Sequence, residues 1–290
     1  MYDCRNLQAQ QMRTPLAVMA AGIQLMRPFN CVMSAAGVGL GAWAAVGRAA
    51  LPSPLKLACA MACGALITAG GNTINDCFDA QIDRINHPQR PIPSGRVTKS
   101  AACVLAALEL VAGVALGGMA NITCGMLALL AVALLAAYEA AGLKNAGLPG
   151  NIVISLLTGL LFVTGGAAAG DFYRPGSLVL LAFLASMGRE IVKDIEDIAG
   201  DAPRRTWPMR VGIGPARRGA AAFFVAAVLL SPLPWWLGTS SAWYLVAVAL
   251  ADLLFVRAIF VLFGQAGGAA RAAKQAMFAV LAAFLAGVLL

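Results

Sequence analysis

Apolar runs and short polar breaks alternate along the whole chain. Runs long enough to cross a bilayer, about 20 residues each, fall near 16–46, 53–79, 100–120, 122–141, 150–169, 176–196, 214–237, 242–263 and 271–290. The runs lack the period-two alternation of strands, and inside lipid only helices or closed barrels satisfy their own backbone groups. The pattern predicts an all-α, polytopic membrane protein of about nine helices around a central cavity, with 1–290 as one domain. The first two runs exceed what a span requires and are expected to tilt or to run past the membrane. The third and fourth are separated only by Met119-Ala120-Asn121.

Composition sharpens this picture. The chain is 60% hydrophobic and 12% charged, with a mean hydropathy of +0.80, whereas soluble domains carry about a quarter charged residues. Residues 1–13 are polar and lack the apolar core of a secretory leader, so no cleaved signal peptide is expected. The seven cysteines lie mostly within apolar runs and read as helix-packing residues. With His87 the single histidine, no zinc site and no structural disulfide is expected. The net charge of +8 is a topology signal: 17 of the 21 Lys+Arg fall on one side of the predicted spans. Arg48, Lys56 and Arg174 fall on the other, and Arg257 lies within the eighth run. The positive-inside rule then predicts an N-in, C-out cell-membrane protein. No basic run interleaved with aromatics points to nucleic acid.

The acidic residues carry the chemistry. Of 13 Asp+Glu, eight sit in two short stretches, Asn72-x-x-Asn75-Asp76-x-x-Asp79-x-x-x-Asp83 and Glu190-x-x-x-Asp194-x-Glu196-Asp197-x-x-x-Asp201. Both stretches repeat one aspartate spacing, 76/79/83 and 194/197/201. Steps of three and four put these side chains on one helix face, where like charges call for a cation between them. The oxygen donors of Asn72, Asn75, Asp76, Asp79 and Asp83, with Asp194, Asp197 and Asp201, suit Mg²⁺ rather than zinc. Both stretches end apolar runs on the predicted cytoplasmic side, and basic loops 84–99 and 204–218 follow them. The two read as corresponding parts of two halves. A solvated loop face is the alternative, but charges at membrane depth are functional by default.

The cations nearby fit a phosphate-bearing ligand. Arg84 and Arg90 suit bidentate phosphate contacts, in a loop stiffened by Pro88, Pro91 and Pro93, with Gly95 allowing a sharp turn. Arg96 and Lys99 read as topogenic charges, and His87 as a loop residue. Arg189, Lys193, Arg204 and Arg205 fit either ion pairs or diphosphate contacts. Arg27 and Asn30 stand where a spanning helix should have neither. Tyr138, Glu139 and Lys144, followed by Asn151, form a further polar group, with Lys144 a diphosphate partner. Glu109 and Asp252 lie deeper and need partners inside the bundle.

These residues resemble the UbiA superfamily of intramembrane prenyltransferases. Its first motif, Asn-Asp-x-x-Asp-x-x-x-Asp, stands here as Asn75 to Asp83, and its second, Lys-Asp-x-x-Asp-x-x-Gly-Asp, as Lys193 to Asp201 with Glu196 preceding Asp197. Arg27-Pro28-x-Asn30, the Arg90-Pro-Ile-Pro-Ser-Gly95 loop, and Tyr138 with Lys144 also match. The stretches Ile82 to Arg96, Gly147 to Asn151 and Arg189 to Asp201 are similar to the archaeal ether-lipid branch more than to the quinone or heme branches. One departure is Trp207, where relatives more often carry Leu. The resemblance implies nine helices and Mg²⁺-dependent transfer of a geranylgeranyl group from its diphosphate to a glyceryl phosphate ether. Asp76, Asp79, Asp83, Asp194, Asp197 and Asp201 would hold metal against the isoprenyl diphosphate donor. An aromatic acceptor of the 4-hydroxybenzoate type, stacked on Trp207 or Tyr138, is the alternative within the family. A transporter of anionic lipid is the alternative outside it, but it would not need two metal-spaced carboxylate faces.

Overall fold

The computed structural model describes residues 15–47, 51–198, 205–264 and 267–289. Asp201 and Arg204 of the predicted site, and Arg48 of the charge pattern, lie outside the described residues. Every described element is helical. Eight helices are long and apolar enough to cross a membrane, and they make this a multi-pass membrane protein. The remaining run, the sixth, is also a helix, Gly176–Glu196 of 21 residues, with Arg189, Glu190 and Lys193 set within it.

The first overlong run is broken, and the second ends at a joint into a further short helix; both the break and the joint fall at residues of the predicted site. The first run is two helices, α1 (Pro15–Met26) and α2 (Pro28–Val46). Between them Arg27 adopts φ 54° and ψ 72°, the one positive-φ non-glycine among the described residues. The left-handed region is costly for a residue bearing a Cβ, and Pro28 already disfavours right-handed helix before it. The second run is α3 (Pro54–Phe78) followed by the short α4 (Ala80–Asn86), with Asp79 at the joint. Helical hydrogen bonding carries across that joint, from Asp79 N to Asn75 O at 2.9 Å and from Asp83 N to Asp79 O at 2.8 Å. Asp76, Asp79 and Asp83 therefore keep one face despite the break, and all three are buried.

The narrow break between the third and fourth runs has a specific cause. Helix α5 (Lys99–Ala120) ends and α6 (Ile122–Glu139) begins at Asn121, whose backbone is extended at φ −171°. The Asn121 side chain accepts from Cys124 N at 2.8 Å and donates to Ala167 O at 2.9 Å. It caps one helix and fastens the hairpin to α7 (Leu148–Ala169). Next comes α8, the Gly176–Glu196 helix, then a short α9 (Trp207–Val211) and α10 (Ile213–Leu230). Pro232 and Pro234 break the seventh predicted run, leaving a separate turn of helix, α11 (Leu233–Trp236). Helices α12 (Ala242–Phe263) and α13 (Ala269–Leu289) complete the chain.

Small residues let these helices approach closely, as bundles in lipid require. Alanines dominate the buried apolar positions, while Ile122, Val111 and Phe260 face outward. Helix α2 lies along α7, α3 along α5, and α12 along α13, and α13 returns to α2 to close a ring. The tightest approach joins α2 to α7. A Cβ on Gly165 would stand 1.9 Å from Val38 O, and one on Gly41 would stand 2.2 Å from Phe162 O. The ring encloses a cavity of about 440 Å³. The six described cysteines carry free thiols.

Because backbone, not a flexible side chain, meets the added carbon, Gly165→Ala is expected to destabilise the protein by ~1–3 kcal/mol. Gly118, whose Cβ would meet nothing within 4 Å, supplies the control. Thermal unfolding in detergent should show a lower midpoint for Gly165→Ala than for Gly118→Ala, and equal midpoints would refute the close contact.

Candidate functional site

The charged end of the cavity is built from a lattice of buried carboxylates, each held by a cation from another element. Arg27 pairs with Asp76 through Nη2, and its Nη1 reaches Asn72 Oδ1 at 3.4 Å. The Asn72 amide in turn donates to Met26 O at 3.0 Å. Both ends of Asn72 thus fix the left-handed turn that carries Arg27. Arg90 bridges two aspartates, at 2.7 Å to Asp83 and 3.3 Å to Asp76. Its loop braces itself: Ser94 Oγ donates to Arg90 O at 2.7 Å, Arg96 donates to Gln89 O at 2.6 Å, and Gly95 turns at φ 75°. Arg96 therefore shapes the loop, while Arg90 points from it into the lattice.

Lys144 stands just beyond α6, in a short 3₁₀ turn spanning Leu143–Asn145. Its ammonium contacts Asp79 at 2.7 Å and also Glu139. Glu139 accepts a further bond from Asn75 Nδ2 at 2.6 Å, and Asn75 also reaches Asp79 at 3.2 Å. Glu139 is thus a hub joining α3, α6 and the 3₁₀ turn. Its one sequence signal is an acid beside Tyr138 at the end of an apolar helix.

The second acidic stretch is organised differently. Asp194 accepts from Asn151 Nδ2 of α7 at 3.1 Å. Glu190, 5% exposed, accepts from Arg189 and lies 3.7 Å from Lys193. Glu196 turns away from the cavity and accepts from Gly268 N at 2.9 Å and Ala270 N at 3.2 Å. It caps the start of α13, where a negative charge is favoured by the helix dipole. Asp197 is the C-cap of α8 and is partly exposed.

The cavity wall carries many of the predicted residues. Arg27, Asn30, Asn72 and Asn75 line it from the first half, with Arg90 and Tyr138. Arg189 and Lys193 line it from α8, as do two residues the sequence reading did not assign to the site, Glu190 and Lys274. Asp76 and Asp83 stand behind Arg27 and Arg90 rather than on the wall itself. Arg84 and Arg205 are exposed and lie outside the lining, because the chain directs them away from the bundle. Trp207 packs its ring against Gly219 of α10 and is no stacking wall for a ligand. Asp252 lines the cavity far from the lattice and accepts from Ser231 Oγ at 2.7 Å. Glu109 lies outside the lining, buried between helices.

Oxygen is the donor atom of every acidic side chain in this lattice, and no histidine or thiolate is interleaved with it. That donor chemistry fits a hard divalent cation better than zinc. Among the described residues, no group of three or more His, Cys, Asp or Glu converges as a metal-binding set; arginine and lysine fill the spaces between carboxylates.

Comparison with known proteins sets this geometry in context. The sequence profile of the UbiA prenyltransferase family matches residues 32–287. The chain is 40% identical over 277 residues to digeranylgeranylglyceryl phosphate synthase of Methanopyrus kandleri, covering 93% of this chain and all of that one. A solved structure concerned with digeranylgeranylglyceryl phosphate synthase in membranes superposes with a TM-score of 0.71 at 33% identity, over 93% of this chain and 98% of that chain. A UbiA homologue from Archaeoglobus fulgidus bound to DMAPP and Mg²⁺ has the same fold, with a TM-score of 0.67 at 17% identity over 93% of this chain and 99% of that chain.

The lattice makes a prediction about Lys144. Removing one partner from a buried ion pair leaves an uncompensated charge and costs ~3–5 kcal/mol. Lys144→Met, facing two buried carboxylates, is expected to lower the unfolding midpoint accordingly. Adding Glu139→Gln should restore part of the loss. An unchanged midpoint in Lys144→Met would show that the contact contributes nothing to stability.

Proposed function

The chain belongs to the UbiA prenyltransferase family, and from that premise we propose that it transfers a geranylgeranyl group from its diphosphate to a glyceryl phosphate ether in archaeal membrane lipid synthesis. The observation that carries this reading is the lattice of Asp76, Asp79 and Asp83 with Arg27, Arg90 and Lys144, opening onto an apolar cavity. In the reaction the allylic C–O bond of the donor breaks, and the acceptor hydroxyl oxygen forms the new ether bond at that carbon. The hydroxyl proton passes to a carboxylate or to the departing diphosphate. The roles follow from charge. Arg27, Arg90 and Lys144 neutralise the diphosphate as negative charge builds on it, the usual way a pre-arranged site lowers such a barrier. Asp76, Asp79 and Asp83, with Asp194, Asp197 and Asp201, would hold Mg²⁺, with Asn72 and Asn75 adding oxygen donors or positioning the acids. When bound, the metal supplies further positive charge to the leaving group. Tyr138, Asn30, Asn151, Arg189, Lys193 and the outlying Arg84, Arg204 and Arg205 complete the proposed substrate contacts.

The ether-lipid acceptor is favoured over an aromatic one by the relatives' names. Of the two candidate stacking surfaces for an aromatic acid, Trp207 packs against α10 off the cavity wall and Tyr138 lines it. We also assign the charged mouth to the cytoplasmic side, on the distribution of Lys and Arg; cysteine accessibility from either face of sealed vesicles would test that orientation.

The reaction is tested with purified protein, labelled geranylgeranyl diphosphate and geranylgeranylglyceryl phosphate, with 4-hydroxybenzoate offered alongside. Mg²⁺-dependent ether formation is expected and should cease with chelator. Asp76→Ala and Asp194→Ala should each lower turnover by about a hundredfold or more, the range for loss of a group stabilising transition-state charge, in protein that still elutes as a folded species. Near-normal turnover in both variants would remove the acidic residues from the mechanism, and preferential prenylation of the aromatic acid would overturn the acceptor.

A further inference from the structure

The cations of the site fall into two groups that differ in how they are neutralised. Arg27, Arg90 and Lys144 share four buried carboxylates, Asp76, Asp79, Asp83 and Glu139. Elsewhere on the cavity wall Arg189 and Lys193 share one, Glu190, and Lys274 lines the same cavity. Lys274 itself has no carboxylate within ion-pair distance among the described residues. Its ammonium donates to Asn30 Oδ1 at 2.7 Å and stands 5.1 Å from the centre of the Phe29 ring. Both contacts orient an ammonium without neutralising it. Arg27 and Arg189 lie close enough to add their positive fields to it. Arg189 also keeps a buried Nε–H that meets no acceptor. An unbalanced ammonium set among like charges within a membrane-spanning helix is costly, and an orphaned buried donor adds to that cost.

A ligand anion would settle both costs at once. Arg189, Lys193 and Lys274 all line the cavity with Glu190 the one carboxylate paired among them, and that surplus of cations suits a phosphate monoester. We infer that Lys274 and Arg189, with Lys274 aimed by Asn30, form the subsite for the phosphate of the acceptor, separate from the carboxylate-matched cations that serve the donor diphosphate. The assignment rests on the prenyl-transfer reading above and adds to it the residues that select a phosphorylated acceptor. Lys193, held back on Glu190, contributes to the field without needing to touch the ligand. The lattice half holds four carboxylates against three cations, so a second phosphate there would meet no surplus cation. Asn30 holds Lys274 from α2, 244 residues away in sequence, so the subsite forms only when the last helix closes the ring.

The test compares geranylgeranylglyceryl phosphate with its dephosphorylated alcohol as acceptors, at saturating geranylgeranyl diphosphate. Loss of a hydrogen bond to a charged group is expected to raise the KM for the phosphorylated acceptor about tenfold to a hundredfold in Lys274→Ala. The KM for the donor, and for the alcohol acceptor, should stay within about twofold, so the preference for phosphate collapses. Lys274→Arg should restore much of that preference, and Arg189→Ala should mimic the loss. Should Lys274→Ala fold poorly, Lys274→Gln retains a donor for Asn30 and should show the same selective loss. An undiminished preference for phosphate in folded Lys274→Ala or Lys274→Gln would overturn the subsite while leaving the reaction intact, as would an equal rise in donor KM. A wild-type protein that prenylates neither acceptor would overturn the reaction itself and the subsite with it.

Discussion

The structure depends on a buried ion-pair lattice at one end of its helices. Each ion withdrawn from water costs several kcal/mol, and only close partners and full hydrogen bonding offset that. Asp76, Asp79, Asp83 and Glu139 meet the condition by drawing cations from separate elements: Arg27 from a strained turn, Arg90 from a proline-braced loop, Lys144 from a 3₁₀ turn. Four helices and a loop are thereby tied at one level of the membrane. The same cations are the ones a diphosphate ligand would need. Fold and chemistry therefore compete for one set of charges, and the left-handed backbone of Arg27 is tolerated because its guanidinium and Asn72 both hold it in place.

The two acidic stretches repeat a spacing but not a use. In the first, all three aspartates are buried and cation-bound. In the second, Glu196 is spent on capping α13, Glu190 gathers Arg189 and Lys193, and Asp194 meets the neutral amide of Asn151. The consequence is an electrostatic asymmetry across the cavity: carboxylates outnumber their paired cations in the first lattice, whereas Glu190 alone is shared by Arg189 and Lys193 in the second. Two like motifs can thus present two unlike surfaces to a pair of anionic substrates.

Hydropathy made the helices legible, because a bilayer imposes length and apolarity on every span. It marked the end of α3 near Asp79 but not the break at Arg27, since α1 with α2 read as one unbroken run, nor the short helix α4 beyond Asp79. Periodicity correctly gathered Asp76, Asp79 and Asp83 on one face, since the joint preserves the helical hydrogen bonds. It failed at Glu196, whose place in an acidic motif hid its role at a helix start more than 70 residues away. Arg84 and Arg205 were drawn into the site by composition, but the loop geometry that chooses between Arg84 and Arg90 is tertiary. Glu139, noted only as a neighbour of Tyr138, and Lys274, noted only as a topology charge, were left out of the site for the same reason. A single acid or base within a run acquires meaning only from the Asn75 or Asn30 that meets it.

The cavity separates the two demands of the proposed chemistry along its length. Its charged end concentrates cations where a leaving diphosphate would develop negative charge. Beyond it the wall is Leu157, Leu161, Phe162 and Leu281, side chains that exclude water and offer an isoprenoid tail a surface like lipid. Water exclusion strengthens every electrostatic contact at the mouth, because the effective dielectric falls, and it keeps hydroxide away from an ionising allylic carbon. One carboxyl interrupts the hydrophobic side chains and hydroxyls of this wall: Asp252, bonded to Ser231, whose carbonyl in turn accepts from Tyr244 at 2.6 Å. This trio joins α10 to α12 and gives Asp252 Oδ2 and the hydroxyls of Ser231 and Tyr244 a partner each. A carboxyl in the apolar reach of the cavity is thereby tied to protein at one of its oxygens, which offsets part of the cost of placing it there.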